Sequence, residues 1–139
     1  MGYLLDTNAC IALINRTSEP VRRRFSKVVE SGEQLWVPSV SVYELWNGVA
    51  KSAQTEPNTM RLKMFLAGPA RVLEFGEGDA RCAGEVRNSL ERIGKPIGTY
   101  YLLIAGQALC RKLTLVTANA REFGRVKGLN WEDWGKTRN

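Results

Sequence analysis

The sequence predicts an α/β fold, a parallel sheet covered by helices on both faces, and three observations carry that expectation. Short apolar runs of strand length alternate with longer stretches of helical apolar spacing. Strands separated by helices need crossover connections, which make neighbouring strands parallel and bury both faces of the sheet. The first run, Tyr3-Leu4-Leu5, stops on Asp6 before turn-prone Thr7 and Asn8. That places a carboxylate at the C-terminal end of a strand, where open α/β sheets hold their ligand crevice.

Each element has a local signal. After the first strand, Ala9 to Ile14 has helical character, and Val21, Phe25, Val28 and Val29 recur at helical spacing. Leu35-Trp36-Val37-Pro38 reads as a second strand stopped by proline. Ser39 and Ser41 are candidate N-caps for a helix carrying Val42, Leu45, Trp46 and Val49, residues whose default place is the core. Gln54 to Asn58, with Pro57 inside it, predicts a turn before a helix bearing Met60, Leu62, Met64, Phe65 and Leu66. Arg71 to Phe75 alternates as a third strand, and Ala80, Ala83, Val86, Leu90 and Ile93 mark an amphipathic helix. A loop over Gly94 to Gly98 follows, then Thr99 as the cap of an apolar helix from about Tyr101 to Leu109. Leu113 to Thr117 is a fourth strand and Leu129-Asn130-Trp131 a short last one. No repeat, low-complexity segment or internal boundary interrupts the pattern, so residues 1–139 read as one domain.

Composition narrows the chemistry. With 44% apolar and 24% charged residues among 139, the chain is globular and long enough to bury a core. It has no run of the roughly 20 apolar residues that a membrane span needs, and Asp6 interrupts any signal-peptide pattern and any myristoylation motif at Gly2, so a soluble cytoplasmic protein is expected. Cys10, Cys82 and Cys110 have no metal-like spacing and lie in helical stretches, which predicts small buried thiols. There is no histidine, which excludes histidine-based catalysis and histidine metal sites. Hydrolysis here must rest on carboxylates, with a hard cation as their natural companion. The net charge of +6 favours an acidic partner such as nucleic acid. Arg22-Arg23-Arg24 is the densest basic cluster, and the solvated face of a helix explains it at least as well as an RNA contact. Aromatic and basic residues are not interleaved as a single-strand platform would need.

Three polar positions fall where a strand-end site would collect them, and each has a local alternative. Asp6 suits a metal role and an N-cap for the following helix equally well. Glu44 completes a Ser41-x-x-Glu44 capping box, which local physics favours. Asn119 follows the fourth strand, where a turn-forming residue is expected.

Six blocks also carry a family resemblance. Tyr3 to Asn8, Ser39 to Leu45, Gly94 to Tyr100, Leu102 to Ala108, Leu115 to Phe123 and Trp131 to Trp134 resemble, in order, the signature blocks of PIN-domain ribonucleases. They are most similar to the VapC-type toxins of bacterial type II toxin–antitoxin pairs. The resemblance covers nearly the whole chain and is specific as an ordered set.

What it implies is an α/β/α sandwich around a parallel sheet, with an acidic pocket that holds Mg²⁺ or Mn²⁺ and hydrolyses RNA, commonly tRNA. By the same resemblance Asp6 and Glu44 are metal ligands, Asn119 is the fourth site residue, and Thr7 and Asn8 are supporting hydrogen-bond partners. A homodimer and a VapB-type antitoxin whose tail covers the pocket are implied as well. One position departs: where the family has a ligand aspartate, this chain has Tyr101. A phenol with a pKa near ~10 replaces a carboxylate poorly, and losing one anionic ligand of three weakens Mg²⁺ binding. Tyr101 is either a natural change in a degenerate copy or a substitution that disarms a toxic enzyme; the intact block around it favours the second. The expectations are thus an endoribonuclease impaired at Tyr101 or, alternatively, a catalytically inactive module that binds antitoxin or RNA. A structure-specific DNA nuclease of the wider superfamily ranks third.

Overall fold

The computed structural model describes residues 2–136, and within them five strands alternate with seven helices. The order is β1 (Gly2–Leu5), α1 (Thr7–Asn15), α2 (Glu19–Ser31), β2 (Gln34–Pro38), α3 (Ser39–Lys51), α4 (Thr55–Leu66), β3 (Arg71–Leu73), α5 (Glu77–Arg92), α6 (Thr99–Arg111), β4 (Thr114–Val116), α7 (Ala120–Phe123) and β5 (Trp131–Glu132). All pairings are parallel, in the order β3-β2-β1-β4-β5. The chain winds outward from β1 through β2 to β3, then returns to the other side of β1 for β4 and β5. Neighbouring connections therefore leave in opposite directions at β1 and β4, a topological switch point.

Strand alternation divides the core in two. Tyr3 and Leu5 of β1 face α1 to α4 and join Cys10, Val28, Leu45 and Leu62 in one cluster. Leu4, between them, faces the opposite way and joins Val86, Leu90, Ile104, Ala105, Leu115 and Phe123 under α5 to α7. A period-two strand buried on both faces produces this split and the α/β/α layering. The α5–α6 hairpin is packed closely enough that a Cβ on Gly106 would sit 2.5 Å from the Ala83 backbone, so only glycine fits there. Beneath the hairpin lies a polar clamp. The buried Asp79 carboxylate accepts from Arg111 Nε at 3.1 Å, from Arg111 Nη2 at 3.2 Å, from Gln107 Nε2 at 3.1 Å and from the Gly76 N–H at 2.8 Å.

The structure corrects several local expectations. The segment from Thr55 is helical, not a turn; Pro57 occupies its third position, where the missing N–H had no intrahelical partner. Strand β3 stops at Leu73. Beyond it the Phe75 N–H bonds to Ser39 Oγ and the Glu74 carbonyl accepts from Gln107. Neither Ser39 nor Ser41 caps α3, because the helix follows directly from Pro38 with no side-chain cap. Thr99 is the first residue of α6 and Gly98 takes the cap position. The last strand lies at Trp131–Glu132, slightly later than expected. Cys10 is buried, but Cys82 and Cys110 are only half-buried and face each other across the hairpin. Partial burial and the neighbouring Cys82 push the Cys110 thiol up to about 11. Of the apolar residues on α3, Leu45 is in the core while Trp46 is exposed.

Arg22 and Arg23 are exposed, as a solvated helix face predicts, whereas Arg24 is not spare. Its guanidinium lies 6.0 Å from the Tyr3 ring centre and 5.7 Å from that of Trp134, rings that themselves meet edge to face at 5.3 Å. It also donates to Glu132 Oε1 at 3.3 Å, and the Trp134 indole donates to the same oxygen at 2.9 Å. One cation–π cluster thus fastens the segment after β5 to α2.

Candidate active site

Asp6 stands where β1 gives way to α1, at the switch point between β1 and β4. Its backbone N–H continues the sheet by donating to the Val116 carbonyl at 3.1 Å. Its Oδ1 accepts the Ala9 N–H at 2.8 Å, so the carboxylate does cap α1. Capping does not exhaust the group: Asp6 is only 5% exposed, and Thr117 on the neighbouring strand end acts on it electrostatically. Burial pushes its pKa above the ordinary carboxylate value; Thr117 and the Ala9 N–H oppose the rise, and the charges of Glu44 and Asp133 add to it. A buried carboxylate whose pKa is raised at a strand end is a candidate cation ligand.

Glu44 reaches this place by a tertiary route. Thr7, the first residue of α1, donates its hydroxyl to Glu44 Oε1 at 2.6 Å and is hydrogen-bonded at 2.9 Å to Ser41, whose side chain is fully buried. The Ser41–Glu44 capping box is therefore absent. Both side chains turn across to α1, since Pro38 already starts α3 and leaves them free. On the other side of Asp6, β4 ends at Val116 and the chain turns through Thr117, whose Oγ1 accepts the Asn119 N–H at 2.9 Å. The side chain of Asn119 makes no cap bond to α7.

The remaining sequence candidates lie differently. Asn8 is exposed and hydrogen-bonds to neither carboxylate. Tyr101, in the first turn of α6, packs into the second core cluster, its ring 5.4 Å from that of Phe123 and edge-on to it. It lies over Gly98, where an added Cβ would meet its Cδ2 at 3.3 Å. No hydrogen bond links it to Asp6, Glu44 or Asn119 among the described residues. Three participants escaped the sequence reading: Thr117, Ser41 as a support for Thr7, and Asp133. The signal for Thr117 and Asp133 was the one that marked Asp6, a polar residue just beyond the end of a parallel strand.

The candidate oxygen donors are Asp6 and Glu44, with the Thr7 hydroxyl on Glu44 and Thr117 beside Asp6; Asn119 is held nearby through its backbone N–H. Oxygen donors of this kind suit Mg²⁺ or Mn²⁺. Their number does not match the implied ligand set, because among the described residues no three acidic or cysteine side chains converge on one point. The chemistry of the donors agrees with a hard cation, and the count falls short of the ligand set that the resemblance implies.

Comparison with known proteins agrees with this fold. The PIN domain family matches residues 3–129. The tRNA(fMet)-specific endonuclease VapC of Shigella flexneri is 39% identical over 134 residues, covering 96% of this chain and 98% of its own length. Ribonuclease VapC2 of Rickettsia felis is 36% identical over 139 residues, 98% of this chain and 100% of that one. The crystal structure of VapBC2 from Rickettsia felis, bound to a DNA fragment from their promoter, contains a chain that superposes with a TM-score of 0.90 at 34% identity, covering 96% of this chain and 99% of that one. A carboxylate at a β1–β4 switch point, in a chain this similar along its length to those proteins, belongs to a PIN-domain protein of the VapC ribonuclease family.

Proposed function

We propose that this chain is an endoribonuclease toxin of the VapC type that uses Mg²⁺ or Mn²⁺ and acts on structured RNA, tRNA above all, with its site impaired at Tyr101. The observation that carries the proposal is the buried Asp6 carboxylate at the strand-end switch point, with Glu44 held by Thr7 close enough for its charge to act on Asp6. Asp6 and Glu44 are the residues that would hold the cation, and Asn119 would orient a water or a phosphate oxygen. When bound, such a cation supplies Lewis acidity and an activated water; the side chains fix the geometry in which that chemistry is available. The basic charge of the chain supplies sequence-independent attraction to phosphates.

The partners follow the same reading. An apolar groove of about 230 Å³ lined by Ile11, Ile14, Leu45 and Val49 opens beside Glu44. Its apolar lining suits the apolar helix of a VapB-type antitoxin, and Glu44, which shares the lining with Arg61, suits an arginine of its basic tail. A homodimer belongs to this reading too. No helix among the described residues is long and apolar enough to cross a membrane, in keeping with action in the cytoplasm, where tRNA is found.

A second reading, an inactive module that binds antitoxin or RNA, is favoured by one observation: Tyr101 is packed against Phe123 and supplies no donor to the carboxylates. One experiment separates the two. The purified chain and its Tyr101→Asp variant are incubated with a tRNA pool and Mg²⁺ or Mn²⁺, with and without EDTA. EDTA-sensitive cleavage by the variant, with little or none by the parent, is expected. A silent variant sinks the impaired nuclease and leaves the binding module; cleavage by the parent at the variant's rate sinks the role given to Tyr101.

A further inference from the structure

Two tyrosines at the rim of the carboxylate site have no part in the account above. Tyr43 precedes Glu44 on α3 and is 58% exposed; Tyr100 precedes Tyr101 on α6 and is 42% exposed. They come from positions 57 residues apart, yet their hydroxyls are hydrogen-bonded at 3.3 Å and their ring centres stand 5.8 Å apart at a tilt of 46°. The hydroxyls are engaged with each other while both residues stay open to solvent. The pair is held in place by two helices that also carry site residues, so little side-chain freedom remains to be lost on binding. Hydrogen bonding to Tyr43, with lesser contributions from desolvation and the charges of Tyr43 and Glu44, pushes the Tyr100 phenol up.

We infer that Tyr43 and Tyr100 form a stacking platform for an unpaired nucleobase of the RNA whose backbone passes Asp6 and Glu44. The inference rests on the ribonuclease reading and adds a determinant of which RNA the site accepts. A flat π-face beside a phosphodiester site fits a base next to the scissile bond, and structured RNA offers such bases in its loops and bulges. Charge complementarity favours the same occupant. A chain of net charge +6 attracts a polyanion such as RNA. The platform selects for unpaired bases, because a base inside a duplex has no free face to give.

The test uses an RNA hairpin with 2-aminopurine in its loop, titrated with the full chain and read by fluorescence quenching and by mobility shift. Replacing both tyrosines by leucine (Tyr43→Leu with Tyr100→Leu) is expected to weaken binding about tenfold or more and to abolish quenching, whereas phenylalanine at both positions keeps quenching with affinity within about threefold. Both residues are exposed, and circular dichroism checks that the variants remain folded. Leucine variants that bind and quench like the parent overturn the platform and leave the ribonuclease reading standing. If neither the parent nor Tyr101→Asp binds or cuts RNA, the ribonuclease reading falls and the platform with it. Unchanged RNA affinity with weakened binding of a short arginine-containing peptide, or with a shift toward monomer in sedimentation, assigns the tyrosines to a protein interface and equally overturns the inference.

Discussion

Thr7 and Glu44, 37 residues apart in the chain, meet in a 2.6 Å hydrogen bond that fixes a carboxylate beside the buried Asp6. The contact joins the first turn of α1 to α3 and converts what local sequence offered as a helix cap into part of a tertiary site. The proposed chemistry depends on this orientation as much as on the acids themselves.

Removal of the Thr7 hydroxyl tests that dependence. Thr7→Val keeps the side chain's shape and releases Glu44. In the Tyr101→Asp background it is expected to slow RNA cleavage by about 10- to 100-fold, the usual effect of losing a group that orients a ligand. The circular dichroism spectrum should stay unchanged. A cleavage rate within experimental error of the background would show that Thr7 does not position Glu44.

Asp6 carries a cost in stability whose sign can be checked. Its pKa is raised in the folded protein, chiefly by burial, so ionisation is harder folded than unfolded. The penalty is absent below the ordinary carboxylate pKa, grows between the ordinary and the raised values, and is complete above the latter. Asp6→Asn keeps an equally good cap for α1 and removes the charge. The variant should melt at a higher temperature than the parent at pH 7, with the gap closing as pH falls toward 3. A lower melting temperature at pH 7 would mean that Thr117 and Ala9 stabilise the carboxylate more than burial penalises it.

The Asp79–Arg111 clamp has the opposite sign. Burial raises the Asp79 pKa, but the bonds from Arg111, the Gly76 N–H and Gln107 together outweigh it and hold the carboxyl below its ordinary value. Its stabilisation is therefore present above the unfolded carboxylate pKa and lost as pH falls through the lowered folded value. Arg111→Ala strands a buried anion. Since Arg111 is itself half-exposed, the loss should fall below the full range for buried pairs, at about 2–3 kcal/mol by urea denaturation at pH 7. The difference from the parent should shrink in strong acid. A variant as stable as the parent at pH 7 would show that Gln107 and Gly76 suffice.

Periodicity made the architecture legible. Apolar runs of strand length, the helices between them and the acid at the end of β1 led to a parallel α/β sandwich with Asp6 at its crevice, and the absence of histidine confined any hydrolysis to carboxylates. These features are local, written in the alternation of neighbouring residues, so the sequence displays them. Boundaries were less legible where side chains compete: Thr55 begins a helix despite Pro57, and Pro38 takes the place that Ser39 and Ser41 were expected to fill as caps. The choice between cap and site for Glu44 could not be made locally, because its partner is Thr7 across a crossover. Asp133 near Asp6, Arg24 between Tyr3 and Trp134, and the Tyr43–Tyr100 pair likewise exist only once the register of five strands brings distant turns to one end of the sheet. Sequence determined which residues stand at strand ends; the sheet order alone decided which strand ends are neighbours, because a hydrogen bond or a shared charge depends on ångströms that no spacing along the chain encodes.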